Sequence, residues 1–166
     1  LCFASMGLIM GLVFMPPQMF FTKHFLYIME IVLFGILLYP LYINNKQLFF
    51  HIALSTFGLL LVLSIISFAK PDMIKDSWEM YLFMGLVSLL GARLIELFMN
   101  FSHKSKYSRA MSYLSILLFS MYIMVDTKKI IVNAENCVNP DYINESINLV
   151  LDTMNIFTNM YSLNND

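Results

Sequence analysis

Charge is what this sequence has least of. Asp, Glu, Lys and Arg make up 13% of its 166 residues, against roughly 25% in soluble domains. That leaves too little polar surface to clothe a water-facing body of this size, so a water-soluble globular domain is excluded. Disorder is excluded by the opposite excess: disordered chains are poor in apolar residues, and 59% of this one is hydrophobic. Cysteine is nearly absent. Cys2 and Cys137 are too few for a disulfide framework and stand in no CxxC or Cys/His spacing suited to zinc. A basic excess is missing too: 10 Lys and Arg against 11 Asp and Glu give a net charge of −1, which offers no electrostatic footprint for nucleic acid.

What is present is apolar length. A bilayer core about 30 Å thick takes roughly 20 apolar residues in a helix, and six such runs are legible, at 1–20, 25–44, 48–69, 79–100, 107–125 and 144–163. Short connections hold most of the charge, so neighbouring runs must be antiparallel. The expectation is an all-α integral membrane protein, one compact bundle of about six transmembrane helices with no second domain. Lys23, Lys70, Lys75, Lys128 and Lys129 fall on one side and Lys46, Lys104, Lys106 and Arg109 on the other, too even a split for the positive-inside rule to orient. Gly7 and Gly11 form a GxxxG pair, a pattern that permits close helix approach and is common by chance in apolar sequence. The chain opens on Leu1 and an apolar run, which reads as a fragment or processed form with a further helix upstream.

Ionisable groups inside a bilayer are costly and face the bundle interior or a water path, so the exceptions to the low charge are where function is sought. Glu30, near the start of the second run, is expected in a structural or an interfacial place, and His51 and His103 at the interface. Arg93 and Glu96, three apart in the fourth run, can pair along one helical face. In the last run Asn148, Asp152, Asn155 and Asn159 fall at i, i+4, i+7 and i+11, a polar stripe on one face. Such a stripe is hard to place against lipid tails. It carries no Lys or Arg, unlike the basic face of a surface-lying helix, so the last helix is expected at the bundle centre. Asp126 is expected to end the fifth helix, joined to the sixth by a loop that can fold back. If its carboxyl meets that of Asp152, the two cannot easily ionise together at low dielectric and would share a proton. Calcium prefers carboxylate oxygens and would compete with that proton, which makes Asp126 and Asp152 candidate calcium ligands.

The run DTKKIIVNAENCVNPDYINESINLVLDTMNIF, Asp126 to Phe157, resembles the C-terminal signature of the transmembrane Bax inhibitor motif family. That signature is an aspartate in a D-T-x-x-I-I-like helix end, then A-E, a short polar loop and L-x-L-D-x-x-N-x-F. The branch it is most similar to is that of the growth hormone-inducible transmembrane protein, which shares the D-T-x-x-x-I-x-x-A-E run and D-T-x-N-I-F. The resemblance implies about seven membrane helices around a central C-terminal one, the first lying outside this sequence. It implies that Asp126 and Asp152 are the family's paired aspartates, the pH-sensing site of a calcium-permeable pathway. The branch implies calcium/proton exchange at the mitochondrial inner membrane, with roles in cristae organisation and apoptosis control; the endoplasmic reticulum is the alternative compartment. In the family an arginine on an early helix contacts the pair in the closed state, and residues 1–20 supply none.

The leading expectation is therefore a pH-sensitive calcium leak or calcium/proton exchanger. Its partners are the bilayer, calcium, protons and apoptosis-related membrane proteins, with calcium as cargo and no cofactor. The alternative is a membrane scaffold in which the aspartates only hold helices together. An intramembrane aspartyl protease has the two acids but no GxGD-type run beside either, and no Ser/His pair or HExxH motif is present, so the chain is not expected to be an enzyme.

Overall fold

A computed structural model describes residues 2–98, 104–137 and 140–165. Its described residues form six α-helices: α1 (Cys2–Phe14), α2 (Phe20–Asn44), α3 (Lys46–Ala69), α4 (Trp78–Phe98), α5 (Lys104–Asn136) and α6 (Tyr142–Asn165), with a 3-10 turn at Pro71–Met73. The all-helical membrane architecture is as the composition requires. Four helices, α2 to α5, are long and apolar enough to cross a membrane. The apolar stretch of α1 is shorter, and α6 carries the polar stripe. Large apolar side chains such as Phe21, Leu54, Phe68 and Phe83 cover the outer faces. Water would penalise that belt, whereas lipid does not.

Local chemistry sets the turns. Pro16 and Pro17 separate α1 from α2, so α1 stops at Phe14 rather than near residue 20. The Asn45 side chain caps α3 by accepting from the Leu48 amide at 3.0 Å, and Asp141 accepts from the Asn144 amide at 3.3 Å to start α6. Both are short polar side chains of the kind that satisfy the orphan amides of a first turn. Pro40 lies inside α2, where it removes one backbone hydrogen bond without ending the helix.

Contacts between distant residues follow the antiparallel order. At one end Lys23 and Asp141 form an ion pair and Lys128 reaches the Ile74 carbonyl at 2.6 Å. At the other, Tyr161 donates to the Leu41 carbonyl at 2.9 Å. Helix α6 packs chiefly on α5 and α3 and also touches α1 and α2, the central position expected of it. Its apolar face carries Ile156 with Phe119 and Ile123 of α5, and Phe157 and Tyr161 with Ile52 of α3. Hydroxyls join α3 to α5, with Ser67 donating to the Met124 carbonyl at 2.7 Å and Ser64 3.3 Å from Thr127. Such groups hold helices together where lipid supplies no hydrophobic drive.

One expectation is corrected and two open readings are narrowed. The fifth helix does not end at Asp126 but continues to Asn136, because Lys128, Lys129 and Glu135 find partners or solvent without leaving the helical path. Of the two places open to Glu30 it takes the structural one: it is fully buried in α2 and accepts a hydrogen bond from Ser5 of α1. As a pattern common by chance allows, the Gly7 and Gly11 pair makes no close approach: a methyl at Gly7 would meet nothing and one at Gly11 would only touch Leu26 at 4.0 Å. His103 lies outside the described residues.

Candidate functional site

Two helices bring the aspartates together. Asp126 lies ten residues before the end of α5 and Asp152 ten residues after the start of α6, so antiparallel packing sets them at the same depth, about 15 Å from those ends at 1.5 Å per residue. Both are buried, Asp126 at 5% and Asp152 at 7% exposure. Both carboxylates line one cavity. Oδ2 of Asp152 is buried and has no donor among the described residues. A buried carboxylate oxygen beside a second acid is costly to keep ionised unless a proton or a cation offsets its charge.

The surroundings are now specific. A cavity of about 230 Å³ opens on the pair, lined by Leu86, Phe119, Tyr122, Lys129, Asn148 and Leu151 as well as the aspartates. Lys129, one turn after Asp126, places its ammonium 3.7 Å from Asp126 Oδ1 and 3.4 Å from Glu79 Oε1 of α4. Glu145, two turns before Asp152 on α6, accepts from Asn133 of α5 at 2.6 Å. The charged and titratable groups facing the pair are thus Lys129 and Tyr122 from α5, Glu145 from α6 and, through Lys129, Glu79 from α4.

The polar stripe of α6 does not act as one unit. Asn148 is exposed and lines the aspartate cavity. Asn155 donates to the Leu151 carbonyl of its own helix at 2.9 Å. Asn159 accepts from Arg93 at 3.0 Å. Arg93 and Glu96 do pair, at 2.9 Å, but the guanidinium also donates to Ser112 of α5 at 3.0 Å. Arg93 therefore ties α4, α5 and α6 at a second polar station, seven residues or about 10 Å along α6 from Asp152.

Among the described residues no group of three His, Cys, Asp or Glu is placed to hold a metal. Calcium takes six to eight oxygen ligands, and two carboxylates with the Asn148 amide nearby would leave the rest to water.

Sequence reasoning missed Lys129 and Glu79. The signal was there: Lys129 is at i+3 from Asp126, a same-face spacing in a helix, but ending the helix at Asp126 removed the spacing's meaning. It also missed the ion pair of Lys23, which is 1% exposed, with Asp141, because a lysine beside a loop reads as solvated.

The family model described as "Inhibitor of apoptosis-promoting Bax1" matches residues 1–164. The chain belongs to that family. Membership agrees with the helical membrane architecture and with the C-terminal aspartate signature. A curated relative, described as an uncharacterized membrane protein of Vibrio cholerae serotype O1, is 33% identical over 83 residues. That match covers 50% of this chain and 34% of the relative. No solved structure matches the chain.

Proposed function

We propose that this Bax inhibitor family member forms a calcium-permeable membrane pathway in which protonation of Asp126 and Asp152 sets calcium occupancy and passage. The observation that carries the reading is the buried aspartate pair, with an oxygen of Asp152 lacking a donor at a cavity. A single shared proton satisfies that oxygen and leaves the pair one net negative charge. Deprotonation adds a second charge that the low-dielectric site cannot hold alone, and a divalent cation neutralises it. Calcium and protons therefore exclude one another at the same atoms, which is the requirement for either a pH-gated leak or an exchange of one ion for the other. Chemistry on a bound substrate is not part of this reading.

The membrane assignment rests on the four apolar helices, and the link to apoptosis on the family's description. The mitochondrial inner membrane is the compartment we propose, on the resemblance of the DTKKIIVNAE and DTMNIF segments to the mitochondrial branch.

Reconstitution into liposomes loaded with a calcium dye tests the function. Wild-type protein is expected to pass calcium with a rate that depends on pH. Asp126→Asn and Asp152→Asn are expected to lose that dependence, because Asn cannot exchange a proton at this site. Unchanged pH-dependent flux in both variants would overturn the mechanism.

A further inference from the structure

A second cavity, of about 280 Å³, lies beside the first and is lined by Asp76, Glu79, Lys75, Lys128, Lys129 and Asn133, with apolar residues between them. Lys129 lines both cavities. Its side chain stands between the aspartate pair and a charged vestibule beside the α3–α4 connection.

The two neighbouring lysines are held differently. Lys128 is committed, with the Ile74 carbonyl at 2.6 Å and Asp76 Oδ1 at 2.8 Å. Lys129 is not: at 3.7 Å from Asp126 and 3.4 Å from Glu79, it exceeds the 2.7–2.9 Å of a firm charge-assisted bond to either acid. It is also 39% exposed. A small torsional change commits it to one carboxylate or the other.

We propose that Lys129 is a tethered counter-cation of the aspartate pair and guards the route by which a divalent cation reaches that pair from the vestibule bearing Asp76 and Glu79. The inference rests on the reading of the pair as a cation site. Leaning on Asp126, the ammonium partly neutralises the pair and repels an incoming ion. Leaning on Glu79, it clears the passage. The sign of its effect on calcium follows from charge arithmetic. A pair sharing one proton has net charge −1 and attracts Lys129. With calcium in place of that proton the net charge is zero and the attraction is gone. Lys129 therefore opposes calcium binding even after proton displacement is counted, and Glu79, by drawing the ammonium away, favours it.

Calcium binding by the purified protein in detergent, measured with radioactive calcium at fixed pH, tests this without depending on flux. Lys129→Met is expected to tighten binding about tenfold, the scale of one partly screened charge a few ångströms away. Lys129→Arg keeps the charge and is expected to stay near wild type. Glu79→Gln is expected to weaken binding about threefold. Misfolding lowers affinity and cannot produce the tightening. Affinity in Lys129→Met equal to or below wild type, with Asp126→Asn still abolishing binding, overturns the guard while leaving the aspartate reading standing. Binding that survives Asp126→Asn and Asp152→Asn unchanged overturns both.

Discussion

Single residues in this protein take their meaning from which helix face they share. Asp126 and Lys129 were both legible as letters, yet their relation was not, because an acid followed by TKK looks like the end of a membrane helix. The 33-residue α5 makes them same-face neighbours instead. For a related reason the sequence leaves Glu30 between a structural and an interfacial place: its position early in an apolar run gives no hint that Ser5 of α1 supplies a hydroxyl to it. Such partners across distant segments are invisible to a one-dimensional reading. Asp76 illustrates the opposite case, an acid whose behaviour local chemistry settles. Its hydrogen bond to Lys128 and that lysine's charge hold its carboxyl below the usual carboxylate range. A depressed folded value means that any stabilisation is complete above the ordinary carboxylate range and is lost only as pH falls through the lower folded one. Asp76→Asn is therefore expected to leave the pH dependence of calcium flux across the neutral range unchanged. A shift of that profile in Asp76→Asn would place the sensor at the vestibule and not at the aspartate pair.

Helices carry the next level of consequence. Central placement of α6 was legible because four polar residues at helical spacing with no basic partner fit neither lipid nor a surface. That the stripe divides into stations was not, since each station depends on a residue of another helix: Asp126 on α5, which shares a cavity with Asp152, and Arg93 on α4 for Asn159. The second station is expected to couple α4 to α6 measurably. A double-mutant cycle of Arg93→Met and Asn159→Leu, read by denaturant unfolding in mixed micelles, should give a coupling energy of about 1–2 kcal/mol. The start of α6 is held separately. Asp141→Ala leaves the buried Lys23 ammonium without its carboxylate and is expected to cost about 2 kcal/mol, below the usual figure for a fully buried pair because Asp141 is partly exposed. Adding Lys23→Met to that variant removes the unpaired charge and should recover most of the loss. No recovery would mean that the loss comes from the α6 cap that Asp141 gives the Asn144 amide, or from the bond of Lys23 to the Met15 carbonyl at 2.9 Å, and not from an unpaired charge.

At the scale of the whole molecule, low charge identified the solvent and the few buried charges identified the centre. The outer surface is an apolar belt and the interior holds Asp126, Asp152, Glu30 and Lys23, an arrangement that is stable only with lipid outside. The protein is accordingly expected to remain with membranes after alkaline carbonate washing and to leave them only in detergent. In the functional reading, calcium and a proton compete for the aspartate pair that joins α5 to α6. Difference infrared spectroscopy of the protonated carboxyl band tests that competition most directly. Wild-type protein at neutral pH is expected to show a protonated carboxyl band that calcium bleaches and that is absent in both Asp126→Asn and Asp152→Asn. A band that persists at saturating calcium, or that survives in both variants, would contradict the shared site.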